Sequence, residues 1–331
     1  MVRLTFLIGY YLTLTSITFL VGPRAWSQEV APAPAPGASA DAYVKFGVES
    51  GRKGDLASAI QAFSQAIKID PKWAPAYGNR GYAYSLENKL DEAIADYDKA
   101  IQIEPKYQDA YYNRGTAKAQ KAQFDAAIDD FNQAISLNPK YATAYYNRGH
   151  AKYFKGDLDG ALADLNQAIT LDPNSPSSSV SYFIRGLVRH AQTDREGAVS
   201  DFQRSADSGF PYGAFWFWIV KMENAERGLA RTNLEDYVAK PELFKPDAWS
   251  TQIANFLLEK LPQDQLLTKA QADSAPKDRL CEVWFYAGMV KYFAGDTTGA
   301  LSCFQQSTAT GASTSEEYIE AQRQTAKLQQ P

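Results

Sequence analysis

Apolar and small residues recur along most of the chain at helical spacing, in short stretches separated by polar breaks. Tyr77, Gly81 and Tyr84, and then Ala93, Tyr97 and Ala100, fall three to four residues apart, the interval that gathers side chains on one face of an α-helix. The same pattern then returns. Gly47, Gly81, Gly115 and Gly149 stand 34 residues apart, as do Pro71, Pro105, Pro139 and Pro173, and so do Ala66, Ala100, Ala134 and Ala168. Two amphipathic helices inside a fixed period of this length predict helix–turn–helix units stacked into a solenoid, because one hairpin cannot bury its apolar side alone. Gly54 and Gly156 fall where the first helix must turn into the second and can take the left-handed conformation there. The proline that ends each unit stops the second helix.

The units resemble the tetratricopeptide repeat, whose signature places an aromatic at position 4, Gly at 8, Ala at 20, an aromatic at 24, Ala at 27 and Pro at 32. Four consecutive units carry it: Tyr43, Gly47, Ala59, Phe63, Ala66, Pro71; Tyr77, Gly81, Ala93, Tyr97, Ala100, Pro105; Tyr111, Gly115, Ala127, Phe131, Ala134, Pro139; and Tyr145, Gly149, Ala161, Leu165, Ala168, Pro173. A fifth follows a three-residue insertion in the Ser-rich stretch 175–181 and keeps Tyr182, Gly186, Ala198 and Phe202, with Ser205 at its end. A sixth has Trp284, Gly288, Gly295, Ala300 and Phe304. Gly186 and Gly288 are 102 residues apart, three periods, so two eroded helix pairs divided near Pro246 are expected between them.

The resemblance implies an all-α, right-handed superhelical solenoid. Five units occupy 41–206, eroded repeats 207–280, the sixth unit 281–313 and a capping helix 314–331. In that last helix Thr314 and Glu317 are expected to form a capping box, with Tyr318, Ala321 and Leu328 along one face. The aromatic block Phe215, Trp216, Phe217 and Trp218 is too dense for one narrow face and is expected to seal the core.

Ahead of the repeats, residues 4–21 carry no charge, follow Arg3 and precede Pro23, and Ala25 and Ser27 are small residues placed as a signal peptidase requires. Residues 1–27 are therefore expected to be a signal peptide cleaved after Ser27, with export to the periplasm. The alternative is an uncleaved inner-membrane anchor formed by 4–21. Residues 28–40 form an Ala/Pro-rich linker that cannot build a packed element. No cysteine lies near the junction, so a lipidated N-terminus is not expected.

Four units pair an Arg at position 7 with an Asp at position 23: Arg80 with Asp96, Arg114 with Asp130, Arg148 with Asp164, and Arg185 with Asp201. Units one and six lack both, carrying Phe46 with Ala62 and Ala287 with Cys303. Residues that come and go together point to structural ion pairs between the two helices of a unit, the alternative being pairs with the neighbouring unit. The resemblance further implies that positions 2, 5, 6, 9, 12 and 13 of the first helix line a groove. Position 6 is Asn79, Asn113 and Asn147, an amide ladder able to pair with the main chain of an extended peptide, similar to the asparagine ladder of the glycosyltransferase solenoid. Tyr82, Tyr112, Tyr146, Tyr153 and Phe154 would stand beside it as anchors. The alternative is that Tyr-Asn-Arg-Gly is the repeat's own consensus. A chaperone-type carboxylate clamp is not expected, because Asp109 and Asn113 stand where basic residues are needed.

Composition narrows the chemistry. With 331 residues, 45% of them hydrophobic, the chain can build a sizeable core, and a formal charge of −4 offers no cationic field for nucleic acid. Two His, His150 and His190, and two Cys are too few for a Cys/His zinc cage, so no metal site is expected. Cys281 and Cys303, at positions 1 and 23 of one hairpin, form either a bridge or two buried thiols. No Ser/His/Asp set or phosphate-cradling loop is present, so neither catalysis nor a cofactor is expected. Residues 281–288 and the Glu317-Tyr318 helix resemble exported bacterial repeat proteins of the NlpI-like group, which implies an adaptor role. The expected function is thus a non-catalytic scaffold or adaptor in the bacterial envelope that holds a protein or extended peptide in its groove. The alternative is a self-associating or membrane-anchored component of an envelope complex.

Overall fold

The computed structural model describes residues 34, 35, 37–173, 176–240 and 248–329. The expected leader, nearly all of the linker and the boundary at Pro246 lie outside the described residues. Among the described residues there are seventeen α-helices and no strand. They are α1 (Ala40–Arg52), α2 (Leu56–Ile69), α3 (Ala74–Leu86), α4 (Leu90–Ile103), α5 (Gln108–Gln120), α6 (Phe124–Leu137), α7 (Ala142–Lys155), α8 (Leu158–Leu171), α9 (Pro176–Ala191), α10 (Arg195–Asp207), α11 (Pro211–Glu223), α12 (Arg227–Val238), α13 (Trp249–Leu257), α14 (Gln263–Gln271), α15 (Pro276–Phe293), α16 (Thr297–Ala309) and α17 (Glu316–Gln329). None is long and apolar enough to cross a membrane.

The chain forms two bodies that divide within α7, one ending at Ala151 and the other beginning at Lys152. In the first, α1/α2, α3/α4 and α5/α6 are antiparallel hairpins, and each second helix packs on the next first helix. First helices also approach one another directly, α1 to α3 and α3 to α5, which sets them on the inner side of the stack. In the second body α9/α10 and α15/α16 repeat the hairpin, and α11/α12 and α13/α14 are the eroded pairs.

The units with an aromatic at position 24 are closed by the same contact. A methyl group on Gly47 would lie 2.7 Å from the Phe63 ring, on Gly186 2.6 Å from Phe202 and on Gly288 2.5 Å from Phe304. The glycine at position 8 is therefore the gap into which the ring at position 24 fits. The alanines at position 20, among them Ala59, Ala127, Ala198 and Ala300, are fully buried where the helices meet.

The turn between the helices is as uniform as the contact. Gly54, Gly156 and Gly295 take φ of +82°, +80° and +84°, and the same turn position is held by Asn88 (+60°), Ala122 (+57°) and Thr193 (+65°). In four of these units an aspartate follows and caps the second helix, Asp55 accepting from the Ser58 amide at 3.0 Å, Asp157 from Gly160 at 3.0 Å, Asp194 from Gly197 at 3.0 Å and Asp296 from Gly299 at 2.8 Å. Lys89 and Gln123 supply no such cap. Ala122 carries the left-handed strain without a polar side chain to relieve it, so Ala122→Gly is expected to stabilise the protein by about 0.5–1 kcal/mol. A urea midpoint unchanged or lowered in that variant would refute the expectation.

Several expectations are corrected. Of the two alternatives for Cys281 and Cys303, the possible disulfide does not form and both are buried free thiols. Antiparallel pairing sets position 1 against position 27, so Cys281 Sγ meets Ser307 Oγ at 3.2 Å and Ser315 Oγ at 3.4 Å, while Cys303 lies a turn closer to the hairpin. Burial pushes the Cys281 thiol up to about 11. The insertion at 175–181 extends α9 to sixteen residues, and α15 begins at Pro276, ahead of the repeat boundary. The cap of α17 is Ser315, whose Oγ accepts from the Tyr318 amide at 3.2 Å, so no Thr314–Glu317 box forms.

Candidate functional site

The four Arg–Asp positions are the most regular polar feature. Asp96 accepts Arg80 through both oxygens, with Nε to Oδ2 at 2.8 Å and Nη2 to Oδ1 at 2.7 Å. Asp130 takes Arg114 at 2.9 and 2.6 Å, and Asp201 takes Arg185 at 2.8 and 2.6 Å. Each of these arginines lies close to the position-4 tyrosine of its own helix, as does Arg148, at 5.3–5.8 Å from the ring centroids of Tyr77, Tyr111, Tyr145 and Tyr182. Arg148 and Asp164 fall on opposite sides of the division between the bodies. Arg148 donates to Asn132 at 2.7 Å on its own side, and Asp164 accepts from Lys152 at 2.8 Å on its own.

The arginines also reach back one unit, Arg80 to Ser64 at 3.0 Å, Arg114 to Asp98, and Arg185 to Asn166 at 2.8 Å. Within-unit and between-unit pairing thus coexist. A second cation at position 11 shares the aspartate, Lys118 with Asp130 and Arg189 with Asp201, both at 2.8 Å. The sequence reading missed both sets. The signal was present in Ser64, Asp98, Asn132 and Asn166, an oxygen-bearing side chain at position 25 every 34 residues.

The expected groove residues separate into three groups. Tyr112 and Tyr146 are buried and not groove anchors. Position 5 is clamped between adjacent units, as Tyr112 shows by packing on Phe131 and, at 4.9 Å between centroids, on Tyr141. Burial pushes its hydroxyl up to about 12. Asn147 Nδ2 donates to that hydroxyl at 3.0 Å and reaches Thr116 Oγ1 at 3.4 Å, so its donors are committed between two units. Asn79 and Asn113 form the second group. Both are half-buried on inner helices, one repeat apart, and neither side chain has a hydrogen-bond partner among the described residues. Tyr82, half-buried, is one turn from Asn79 on the same helix.

Tyr153 and Phe154 belong to the second body, where the inner face is not open. Tyr153 is fully buried, donates its hydroxyl to Glu320 of α17, and lies under the Arg323 guanidinium at 4.6 Å. Phe154 stands edge-on to it at 5.8 Å. Tyr286 donates to Glu317 at 3.4 Å, and Lys327 lies over Tyr292 at 5.3 Å. The tail helix therefore crosses this inner face, and the expected groove is occupied by the chain itself. Its buried residues are Glu316, Glu317, Glu320, Ala321 and Gln324, not the apolar face through Tyr318 and Leu328 expected from the sequence. Beneath it Glu282 accepts from Tyr212 at 2.9 Å, Trp249 Nε1 at 2.7 Å and Arg279 at 3.1 Å. Burial, reinforced by the charges of Glu282 and Glu316, pushes the Glu317 carboxyl far above the usual carboxylate range.

His190 assumes an unexpected role beneath the same helix. Its Nε2 meets Glu223 Oε2 at 2.8 Å, edge-on to Trp216, with the charges of Glu320, Lys327 and Arg195 acting on the pair. Burial opposes charging of either group, but their mutual hydrogen bond and attraction outweigh it, so the imidazole is raised and the carboxyl lowered. The histidine's share of stability is complete below its ordinary 6.5 and is lost as pH rises through the raised value. The glutamate's share is complete above 4.5 and is lost as pH falls through the lowered value. His190→Gln is therefore expected to cost more stability at about pH 5.5 than at about pH 9. Urea unfolding at the two values checks it, and equal losses would refute it.

Known proteins bear on the fold as follows. Tetratricopeptide-repeat family models match residues 40–72, 74–107, 117–156 and 142–175. Comparison with curated proteins gives no match. Among solved structures, a tetratricopeptide repeat protein from Parabacteroides merdae is similar over 88% of this chain and 99% of its own, at 14% identity and TM-score 0.55. PilF of Pseudomonas aeruginosa is similar over 67% of this chain and 97% of its own, at 18% identity and TM-score 0.54. The MamA protein, 28% identical, aligns with 49% of this chain and 93% of its own at TM-score 0.45. The repeats matched and the shared hairpin contact lead to one conclusion: residues 40–72, 74–107 and 117–175 are tetratricopeptide repeats.

Proposed function

We propose that this protein is a non-catalytic adaptor whose first body holds an extended segment of a partner protein against α3 and α5. That it is a protein-interaction scaffold follows from these repeats. One observation carries the finer reading. Asn79 and Asn113 occupy the same inner position in consecutive units, and their amides have donors and acceptors to spare. An amide can accept one bond from a peptide N–H and donate one to a carbonyl whatever the side chains of the guest, which suits an adaptor with several clients. Asn147, whose Nδ2 is committed to Tyr112, marks the end of the ladder with both donor and acceptor to offer.

The bacterial envelope is part of the same proposal. It is supported by the apolar run 4–21 with Ala25 and Ser27, and the adaptor role by the resemblance of residues 281–318 to exported repeat proteins.

The test uses peptides selected on the full chain from a random-sequence display library. Binding of the selected peptides is expected to fall about tenfold or more in the Asn79→Ala, Asn113→Ala double variant, the loss of two hydrogen bonds of ordinary strength. It is expected to persist in Asn147→Ala if that variant retains its thermal midpoint. Unchanged binding in the double variant would overturn the reading.

A further inference from the structure

The tail helix is an unusual occupant for the inner face of a repeat array. Of the five residues α17 buries, only Ala321 is apolar. Glu317 is placed near Glu282, which is already satisfied by three donors, and has only the long 3.4 Å bond from Tyr286 among side-chain donors. Gln324 Oε1 and Thr325 Oγ1 are buried with no partner among the described residues. Against these deficits stands one well-made contact, the Glu320 carboxylate held by the Tyr153 hydroxyl and by Arg323. The side chains that α17 meets are aromatic, Tyr153, Tyr286 and Tyr292, and Tyr286 packs edge-on to Phe215 at 5.8 Å. An aromatic surface covered by a polar, partly unsatisfied helix is matched to a helix but not fully matched to this one.

We propose that the inner face of the second body is a docking surface for a partner helix that places a carboxylate on Tyr153 and a neutral hydrogen-bonding side chain one turn earlier, beside Tyr286 and Glu282, and that α17 fills this surface until such a helix displaces it. The neutral residue is required because burial and the Glu282 charge both disfavour a second carboxylate there. The carboxylate is required because it answers the buried Tyr153 hydroxyl. Recognition is of the helix-in-groove kind, with anchors at i, i+3 and i+7 corresponding to Glu317, Glu320 and Gln324. The segment 310–315 joins α17 to α16, and Gly311 within it takes φ of +65°. This surface is separate from Asn79 and Asn113, so either proposal can fail alone.

The probe is a synthetic peptide of residues 314–329 carrying Glu317→Gln, titrated onto the full chain. Saturation is expected to speed amide hydrogen exchange throughout α17 while α15 and α16 remain protected. A peptide that also carries Glu320→Ala is expected to bind about tenfold more weakly. Because α17 competes with the peptide, a full-length Glu320→Ala chain should bind the probe about tenfold more tightly than the wild type, its receptive state being more populated. Binding to neither chain, or binding that leaves α17 exchange unchanged, would overturn the proposal.

Discussion

Asp201→Ala is expected to lower the unfolding free energy by about 3 kcal/mol, the loss typical of a buried ion pair broken from one side. The carboxylate is only 1% exposed and takes Arg185 through both oxygens and Arg189 on Oδ2. Its removal leaves two guanidinium groups facing each other with their common partner gone. Arg185 keeps Asn166 at 2.8 Å and Arg189 keeps a weak link to Asp194 at 3.6 Å, and both retain some exposure, which holds the loss near the lower end of the range for buried pairs. The equivalent change Asp96→Ala should cost less, because Asp96 serves a single cation, Arg80, whose side chain is 20% exposed. Urea unfolding of the two variants checks the ordering. A loss under about 1 kcal/mol for Asp201→Ala, or a larger loss for Asp96→Ala, would contradict it.

Gly213→Ala is expected to cost about 2–3 kcal/mol, even though alanine is the better helix former by about 1 kcal/mol. A methyl group at 213 would stand 2.7 Å from the Phe202 carbonyl oxygen and 2.7 Å from the Ala206 backbone nitrogen. Elsewhere in the repeat the glycine at position 8 faces an aromatic ring, which can shift slightly. Here the neighbour is main chain of α10, so α11 as a whole must withdraw. That movement would disturb Trp216 and its stack on Phe285. The expected result is a lower thermal midpoint together with a changed tryptophan emission, and a variant with wild-type values on both would show that α10 and α11 do not approach so closely.

The fold was legible wherever the period was unbroken. Gly47, Gly81 and Gly115 identify the closest contact of their hairpins, since a ring at position 24 needs that gap. The eroded region was legible only as a length, because α11 is buried along nearly its whole run from Tyr212 to Val220 and so loses the one-sided pattern that reveals a surface helix. The site was harder to read. Tyr112, Tyr146 and Tyr153 look alike as aromatic groove positions, yet the first two are enclosed by neighbouring units and the third by a helix 167 residues away in sequence. Nothing local to Tyr153 announces Glu320. The tail misled for a related reason: Glu317 was expected in a capping box and nothing singled out Glu320, since carboxylates are seldom buried and the tyrosines that accommodate them lie on other helices.

The central claim is that the two bodies use their inner faces differently, the first open to a guest through Asn79 and Asn113 and the second covered by α17. Hydrogen exchange on the full chain, with and without a library-selected peptide, tests it most directly. Slowed exchange in α3 and α5, with α15 and α17 unchanged, is the predicted result. Slowed exchange confined to the second helices α2, α4 and α6, or to α15 and α17, would contradict it.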